Sequence, residues 1–298
     1  MANLKTLRIR IASVKSTQKI TAAMKMIAAT KLRKAQAAAE EGRPYAEGME
    51  RMLAGLIGGR GSVGNAPKLL AGSGSEAKYL LVVMTGDRGL CGAFNSNIVR
   101  EAKRQIADLH AQGKQVKLLM VGSKGADAMR REYGSLIVDT IANVTKYGAK
   151  FDPARSLGRR LNKMFESGEF DVCKIIYNTF RSAISQVVTA RQIIPVQHDP
   201  GAKGKAGQTA EMAAYEMEPD DQEVLAELLP ANLAMQIYRA MTESYASEQG
   251  ARMTAMDNAT RNAGDMIDRL TLTYNRSRQA AITTELIEII SGANAISG

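Results

Sequence analysis

The sequence predicts an α/β protein in which long N- and C-terminal helices form an antiparallel coiled coil, with an inserted Rossmann-like α/β domain. Three observations support this fold class. Residues 1–41 contain neither proline nor glycine, and residues 231–291 contain no proline and only two glycines. The segment between them alternates short β-rich runs with stretches of helical period. Strands that alternate with helices are typical of an α/β domain with a largely parallel sheet.

Both terminal segments carry the residue spacing of a coiled coil. The N-terminal helix is predicted within residues 1–60 and the C-terminal helix within residues 223–298. In each, apolar and small residues recur at alternating intervals of three and four, which indicates a coiled-coil seam. The seam positions are Leu4, Leu7, Ile11, Val14, Gln18, Thr21, Lys25, Ala28, Leu32, Ala35 and Ala39 in the first helix, and Met253, Met256, Thr260, Ala263, Ile267, Leu270, Tyr274, Ser277 and Ala281 in the second.

The two seams are poor in leucine and differ from each other. Ala, Thr, Ser, Met and Gln interrupt them, whereas a symmetric zipper would carry a stronger apolar repeat. Two dissimilar helices packed antiparallel within one chain can use small residues for close approach. We therefore predict an intramolecular helix pair, with two unconnected helices on a globular core as the alternative.

The middle of the chain, residues 76–197, is predicted to be the inserted α/β domain. A further strand at residues 185–196 is expected to lie antiparallel at the sheet edge, because Pro195 limits its pairing. Residues 198–222 shift to Gly, Lys, Ala, Glu and Asp and are predicted to be a linker. The other strands are predicted at residues 78–85, 115–121, 135–138 and 172–177, and the helices at residues 97–111, 124–133 and 153–166.

The N-terminal segment is strongly basic. Nine lysines and arginines lie between Lys5 and Lys34, before the first acidic residue, Glu40. The whole chain has a formal net charge of +10 and a sequence pI near 9.6. This excess of positive charge favours a negatively charged partner: nucleic acid, anionic lipid or an acidic protein surface. The apolar runs are far shorter than the roughly 18 residues of a membrane span, so no span is predicted.

The glycine-rich loop TGDRGLCGAFN follows the first predicted strand and precedes a helix, which is where phosphate loops lie. Its glycines, Gly86, Gly89 and Gly92, fit neither GxGxxG nor GxxxxGK[ST]. We interpret them as turn residues that need a positive φ. A weak phosphate site is the alternative, and it would make the chain a nucleotide-using enzyme that depends on Gly89 or Lys124.

The sequence contains only two histidines and two cysteines, which leaves few residues for catalysis or metal binding by these side chains. The two histidines, His110 and His198, lie in no recognisable context for a catalytic partner of Cys91. The two cysteines, Cys91 and Cys173, have no CxxC spacing and cannot form a disulfide framework, which indicates a reducing compartment. We therefore predict no catalytic residue, no cofactor and no metal site.

Nucleic-acid binding is the main rival interpretation of the basic helix. Proteins that bind single strands place base-stacking aromatic residues among their cations. The first 44 residues contain no Phe, Tyr or Trp. A basic nucleic-acid-binding protein therefore stays the alternative function.

Three separated segments, in the right order and over nearly the full length, resemble the gamma subunits of F-type rotary ATP synthases. These segments are RIRIASVKSTQKITAAMKMIAATKLRKAQ, GDRGLCGAFN and the run from SEQGARMTAMDNATRNAG to ELIEIISGA. The resemblance implies a central-stalk rotor subunit that couples proton flow through the membrane sector to ATP synthesis. In that arrangement the coiled coil lies inside a ring of three alpha and three beta subunits, where its cations pass acidic loops of the catalytic subunits. The α/β domain forms the foot of the stalk, near the membrane rotor.

The resemblance also implies which residues contact other subunits. Arg278 and Gln279 would hydrogen-bond to beta-subunit loops, with ordinary helix-surface polar residues as the alternative. Tyr215 and Glu218, in YEMEPD, would touch the epsilon subunit or the c-ring. The expected subunit-interface residues are Met24, Lys25, Met26, Arg252, Arg278, Gln279, Thr283, Glu285 and Glu288.

The partners implied by the resemblance are the alpha and beta subunits of F1, the epsilon subunit and the c-ring of Fo. No nucleic acid is expected. The chain would not itself be a catalyst but a subunit of a proton-translocating enzyme. The implied location is peripheral, on the cytoplasmic face of the bacterial plasma membrane, with the mitochondrial matrix side as the alternative.

Overall fold

The structure, a computed structural model, describes residues 4–58, 67–183, 185–196 and 221–297. It divides into two compact units, Met1–Ala28 with Arg252–Gly298, and Ala29–Ala251. The elements in chain order are α1 Leu4–Gly58, α2 Lys68–Ala71, β1 Lys78–Met84, α3 Phe94–Ala111, β2 Gln115–Val121, α4 Ser123–Tyr133, β3 Ile137–Ile141, α5 Phe151–Glu166, β4 Val172–Phe180, β5 Gln186–Ile194 and α6 Asp221–Ser297.

The unit formed by residues 29–251 is built on a five-stranded sheet in the order β3-β2-β1-β4-β5. β1 is parallel to both β2 and β4, and β2 is parallel to β3. β5 pairs antiparallel with β4 at the edge and ends before Pro195, which confirms the predicted edge strand. The strand predicted at residues 135–138 is displaced, because a 3-10 turn occupies Gly134–Leu136 and the β-branched run begins only at Ile137.

Both faces of the sheet are covered by helices. In β1, Leu80 and Val82 pack with α5 and with the α1 and α6 segments of this unit. Leu81 and Val83 point to the opposite face, where α3 and α4 cover them. All four side chains are completely buried, as expected for a central strand with helices on both faces.

Both long helices extend further than their breaker-free segments suggest. α1 is 55 residues long and continues past Gly42 and Pro44. A proline inside a helix removes one backbone hydrogen bond, yet Met49 and Leu53 beyond it are buried in the core. Packing of that apolar face therefore offsets the lost bond. α6 is 77 residues long and includes Pro230.

The unit formed by residues 1–28 and 252–298 is an antiparallel helix pair. Arg8 contacts Tyr274, and further along α1 Lys25 contacts Asp257, so numbering rises in one helix as it falls in the other. Every predicted seam residue in this unit is buried or partly buried except Lys25. The structure thus confirms the predicted seam and the fold class. In the described part of the chain, no helix is long and apolar enough to cross a membrane.

The linker predicted at residues 198–222 falls outside the described residues, apart from its last two positions, which belong to α6. Tyr215, Glu218 and His198 also lie outside the described residues. The division into residues 1–60, 76–197 and 223–298 follows sequence elements and stays a prediction. The compact units instead each take a part of both long helices.

Candidate functional site

The outward surface of α1 in the helix-pair unit carries exposed apolar side chains among its cations. Met26 is 71% exposed, and Ile20 and Ile27 are 57% and 56% exposed. Met24 is partly buried. Large apolar groups left in water at this density indicate a surface that contacts another macromolecule.

The C-terminal part of α6 carries most of the residues that the family resemblance assigns to subunit contacts. All five of these side chains are exposed; they are Arg278, Gln279, Thr283, Glu285 and Glu288. Thr283 donates its hydroxyl to the backbone carbonyl of Gln279 at 2.9 Å. That proton is therefore committed within the helix, and Thr283 would offer a partner its oxygen and its methyl group.

Apolar side chains accompany these polar groups on the same helical segment. Five of them are between 46% and 67% exposed; they are Ile282, Leu286, Ile287, Ile289 and Ile290. A helix that presents isoleucine and leucine in several directions is typical of a segment that is surrounded by other protein. Sequence reasoning identified the polar residues here, whereas the exposed isoleucines add an apolar surface that it did not single out.

Two of the predicted contact residues, Lys25 and Arg252, are engaged within the chain itself. Lys25 Nζ lies 2.6 Å from Asp257 Oδ1. Arg252 is partly buried.

Tyr274, four residues before Arg278, accepts a hydrogen bond from Arg8 at 3.0 Å. That hydrogen bond, and then the charges of Arg8 and Arg278, lower the pKa of the Tyr274 hydroxyl.

An open groove of about 400 Å³ lies along the helix pair. Lys15 and Lys19 line it from α1, and Asp268 lines it from α6. Gly264 forms part of its floor, and a Cβ at that position would lie 3.2 Å from the Gln18 amide nitrogen. The small residue therefore permits the close helix approach that the leucine-poor seam predicts.

The glycine-rich loop after β1 is organised around Asp87. One carboxylate oxygen of Asp87 accepts from the backbone N–H of Ser123 at 3.0 Å, and the other accepts from the N–H of Asn143 at 2.9 Å. Thr85 Oγ1 accepts from the N–H of Gly125 at 2.9 Å. Phosphate loops use such N–H groups at a helix N-terminus to bind their anion. Here protein oxygens occupy them, which favours a structural junction over a phosphate site.

The three glycines of this loop have different reasons to be glycine. Gly92 has a φ of 56°, as the turn interpretation predicts. Gly86 and Gly89 do not have a positive φ, so that part of the prediction is wrong. A Cβ on Gly86 would lie 3.0 Å from the carboxyl carbon of Glu248, so its role is to make room for a buried side chain of α6.

Cys91 is 2% exposed, and its sulfur accepts a hydrogen bond from the Asn95 amide at 3.3 Å. The other end of that amide, Oδ1, accepts from the N–H of Gly86 at 2.9 Å. The Asn95 amide thus joins two ends of the loop, Gly86 and Cys91, and the buried thiol is not exposed to a substrate. Sequence reasoning missed Asp87 and Glu248. Asp87 lies three residues after the end of β1, and an acid in the loop at the carboxyl end of a parallel strand is a recognisable signal. Glu248 lies inside α6 and has no such local signal.

Comparisons with known proteins agree with this architecture. The family model described as ATP synthase matches residues 3–296. A relative from Rhodospirillum rubrum, the ATP synthase gamma chain, is 55% identical over 299 residues, which covers 99% of this chain and 100% of the relative.

Two solved structures are also similar to this chain. One is a chain of the central stalk and c-ring of the Tetrahymena thermophila mitochondrial ATP synthase, with 28% identity and a TM-score of 0.58, covering 80% of this chain and 99% of that one. The other belongs to the OSCP, F1 and c-ring part of the Euglena gracilis mitochondrial ATP synthase. It has 20% identity and a TM-score of 0.66 and covers 98% of this chain and 94% of that one, a likeness that concerns the fold.

Proposed function

This chain belongs to the ATP synthase gamma-chain family, and from that premise we propose how it works as the central-stalk rotor subunit. The observation that carries the mechanism is the asymmetry of the helix pair. Its two helices differ in sequence, and their exposed residues differ around the pair. Such a shaft presents a different surface to each of three surrounding catalytic sites.

The physical basis is differential contact. A ligand or partner shifts a conformational equilibrium only by its difference in affinity for the two states. Moving a site from 1:99 to 99:1 needs about 5.5 kcal/mol of such a difference. Burying one half-exposed Ile or Leu side chain supplies about 1 kcal/mol. A handful of apolar contacts near Ile282, Ile287 and Ile290 that are made with one site and not another is therefore sufficient.

The contact residues follow from the same premise. Arg278 and Gln279 hydrogen-bond to loops of the beta subunits, and Glu285 and Glu288 contribute charge on the same segment. Met26 adds an adaptable apolar contact from α1, since methionine is flexible and polarizable. The support is that these side chains are exposed and lie beside the apolar residues of the helix pair.

The chain supplies no catalytic group of its own in this proposal. The ATP-synthesising chemistry takes place in the alpha and beta subunits, and the gamma chain transmits torque. The loop around Asp87 supports that division, because the N–H groups suited to phosphate are bonded to the chain itself. Nucleic-acid binding, the alternative function, is not supported by the family assignment.

The proposed partners are the alpha and beta subunits, the epsilon subunit and the c-ring. The basic surface of α1 suits the acidic loops of the catalytic subunits that the family resemblance implies. The proposed location is the cytoplasmic face of a bacterial plasma membrane, with peripheral association through the complex. A bacterial relative at 55% identity supports the bacterial setting.

The test is assembly and ATP hydrolysis by purified alpha and beta subunits with the full chain, without it, and with a version that ends at Ser277. The full chain is expected to assemble a complex with steady, cooperative turnover, and the shortened chain is expected to turn over more slowly. The isolated chain should hydrolyse no ATP. Failure of the full chain to join alpha and beta, together with retention of nucleic acid at low salt, would overturn the proposal.

A further inference from the structure

Lys25 occupies a seam position of the helix pair although it is a cation. The neighbouring seam residues Thr21 and Ala28 are only 8% and 1% exposed. The Lys25 side chain keeps 46% of its surface in water. A lysine at this place forgoes the packing that an apolar residue would give, so its retention requires an electrostatic reason.

That reason is a carboxylate on the other helix. Lys25 Nζ lies 2.6 Å from Asp257 Oδ1, and Arg261 Nη2 lies 2.6 Å from the second oxygen, Oδ2. Each oxygen of Asp257 therefore binds a different cation. The hydrogen bond from Lys25 is the largest cause of the lowered pKa of Asp257. The carboxylate is consequently ionised at neutral pH and ties α1 to α6.

A second polar pair lies one turn away. The hydroxyl oxygens of Thr21 and Thr260 are 2.8 Å apart. Thr21 and Thr260 also contact carbonyl oxygens of their own helices, those of Gln18 and Met256. A shifted alignment would therefore lose only the contacts between the helices, and polar contacts of this kind in an apolar seam favour one register. The two pairs agree on a single alignment, 21 with 260 and 25 with 257, which also brings Arg8 to Tyr274.

The same pairs fix the rotation of α1 about its own axis. Successive residues of an α-helix are about 100° apart around the axis. When Lys25 is held against α6, Met24 and Met26 are placed on opposite sides of that contact. The two sides are not equivalent, since Met26 is 71% exposed and Met24 is partly buried, and a rotation of α1 would change which of them faces a partner.

We propose that Lys25 is a positioning residue that acts on energy coupling through Asp257, by setting the register and rotation of α1, and not through contact with another subunit. This inference rests on the proposed function, because it concerns how the shaft surface is presented to the catalytic sites. It revises the assignment of Lys25 as an interface residue, while leaving Met26 in that role.

The test is a double-mutant cycle in the assembled, membrane-reconstituted complex, with protons pumped per ATP hydrolysed as the readout. The variants are Lys25→Gln, Asp257→Asn and the double variant. Lys25→Gln is expected to lower the ratio by about twofold to fivefold, since the pair is partly exposed, and an unchanged ratio would overturn the proposal. In the Asp257→Asn background, Lys25→Gln is expected to have no further effect. Lys25→Arg, which keeps the charge, is expected to retain the parental ratio.

Lys19→Gln is the matched control, because it removes one cation from the same helix without touching Asp257. Its effect should combine independently with that of Asp257→Asn. The proposal is overturned if Lys25→Gln lowers the ratio by the same factor with and without Asp257, which would show direct contact with a partner. It is equally overturned if Lys25→Gln changes only the melting temperature of the complex. A parental complex with no coupling at all would instead count against the proposed function.

Discussion

Replacing Asp87 with alanine should loosen the loops at the carboxyl edge of the sheet. The substitution removes two hydrogen bonds, one from the first backbone N–H of α4 at Ser123 and one from the N–H of Asn143. Loss of one hydrogen bond to a charged group costs about 1.5 kcal/mol or more, so the two together amount to about 3 kcal/mol. Asp87 is partly buried, so water replaces some of this. The net local destabilisation is therefore expected to be about 2 kcal/mol.

Amide hydrogen exchange on the full chain measures this directly, because it reports local opening residue by residue. About 2 kcal/mol corresponds to exchange roughly 30-fold faster at Ser123 and Asn143. Asp108→Asn is the control, since Asp108 is an exposed acid of α3 that pairs only weakly with Arg104 at 3.4 Å. It should leave both amides unchanged. Exchange within twofold of wild type in Asp87→Ala would refute the role assigned to the carboxylate.

Three further outcomes are expected. Gly122→Ala should prevent stable folding of the full chain. Gly122 has a φ of 98°, and a Cβ there would lie 2.1 Å from the Thr85 carbonyl oxygen. A urea titration with the wild-type midpoint would contradict this. Cys173 should stay unlabelled by maleimide at pH 8 until the chain is denatured, since it is fully buried and burial raises the pKa of its thiol; labelling of the folded chain would contradict this. The hydrogen bond from Arg160 lowers the pKa of the Asp139 carboxyl. The ion pair therefore stabilises the folded chain at neutral pH. This contribution is lost as the pH falls from about 5 through the lowered pKa of Asp139. Asp139→Asn should flatten the acid end of the stability profile, and an unchanged profile would contradict the pairing.

Periodic patterns made the architecture predictable from the sequence. The spacing of Leu7, Thr21 and Ala28 identified seam residues that are buried in the structure. The run KYLLVVMT identified the central strand to within one residue, since β1 ends at Met84 and Thr85 lies just outside it. These patterns are local, and a local signal is sufficient where burial repeats with the period of the element.

Interactions between distant segments were not predictable in the same way. Asp87 binds N–H groups that lie 36 and 56 residues away, and Lys25 binds a carboxylate 232 residues away. The sequence placed Lys25 on the seam, yet only the register of the helix pair identifies its partner. The end of the breaker-free segment also failed to mark the end of α1, because packing beyond Pro44 continues the helix.

Direct observation of rotation tests the account most simply. Tyr147 is 79% exposed, whereas Cys91 and Cys173 are buried, so Tyr147→Cys provides a selective attachment point for a bead or fluorophore. The labelled chain is assembled with alpha and beta subunits that are fixed to a surface, and ATP is added. Continuous rotation of the probe in one direction is the predicted result. ATP hydrolysis by the assembled complex with a stationary probe would contradict the central claim that this chain is the rotor.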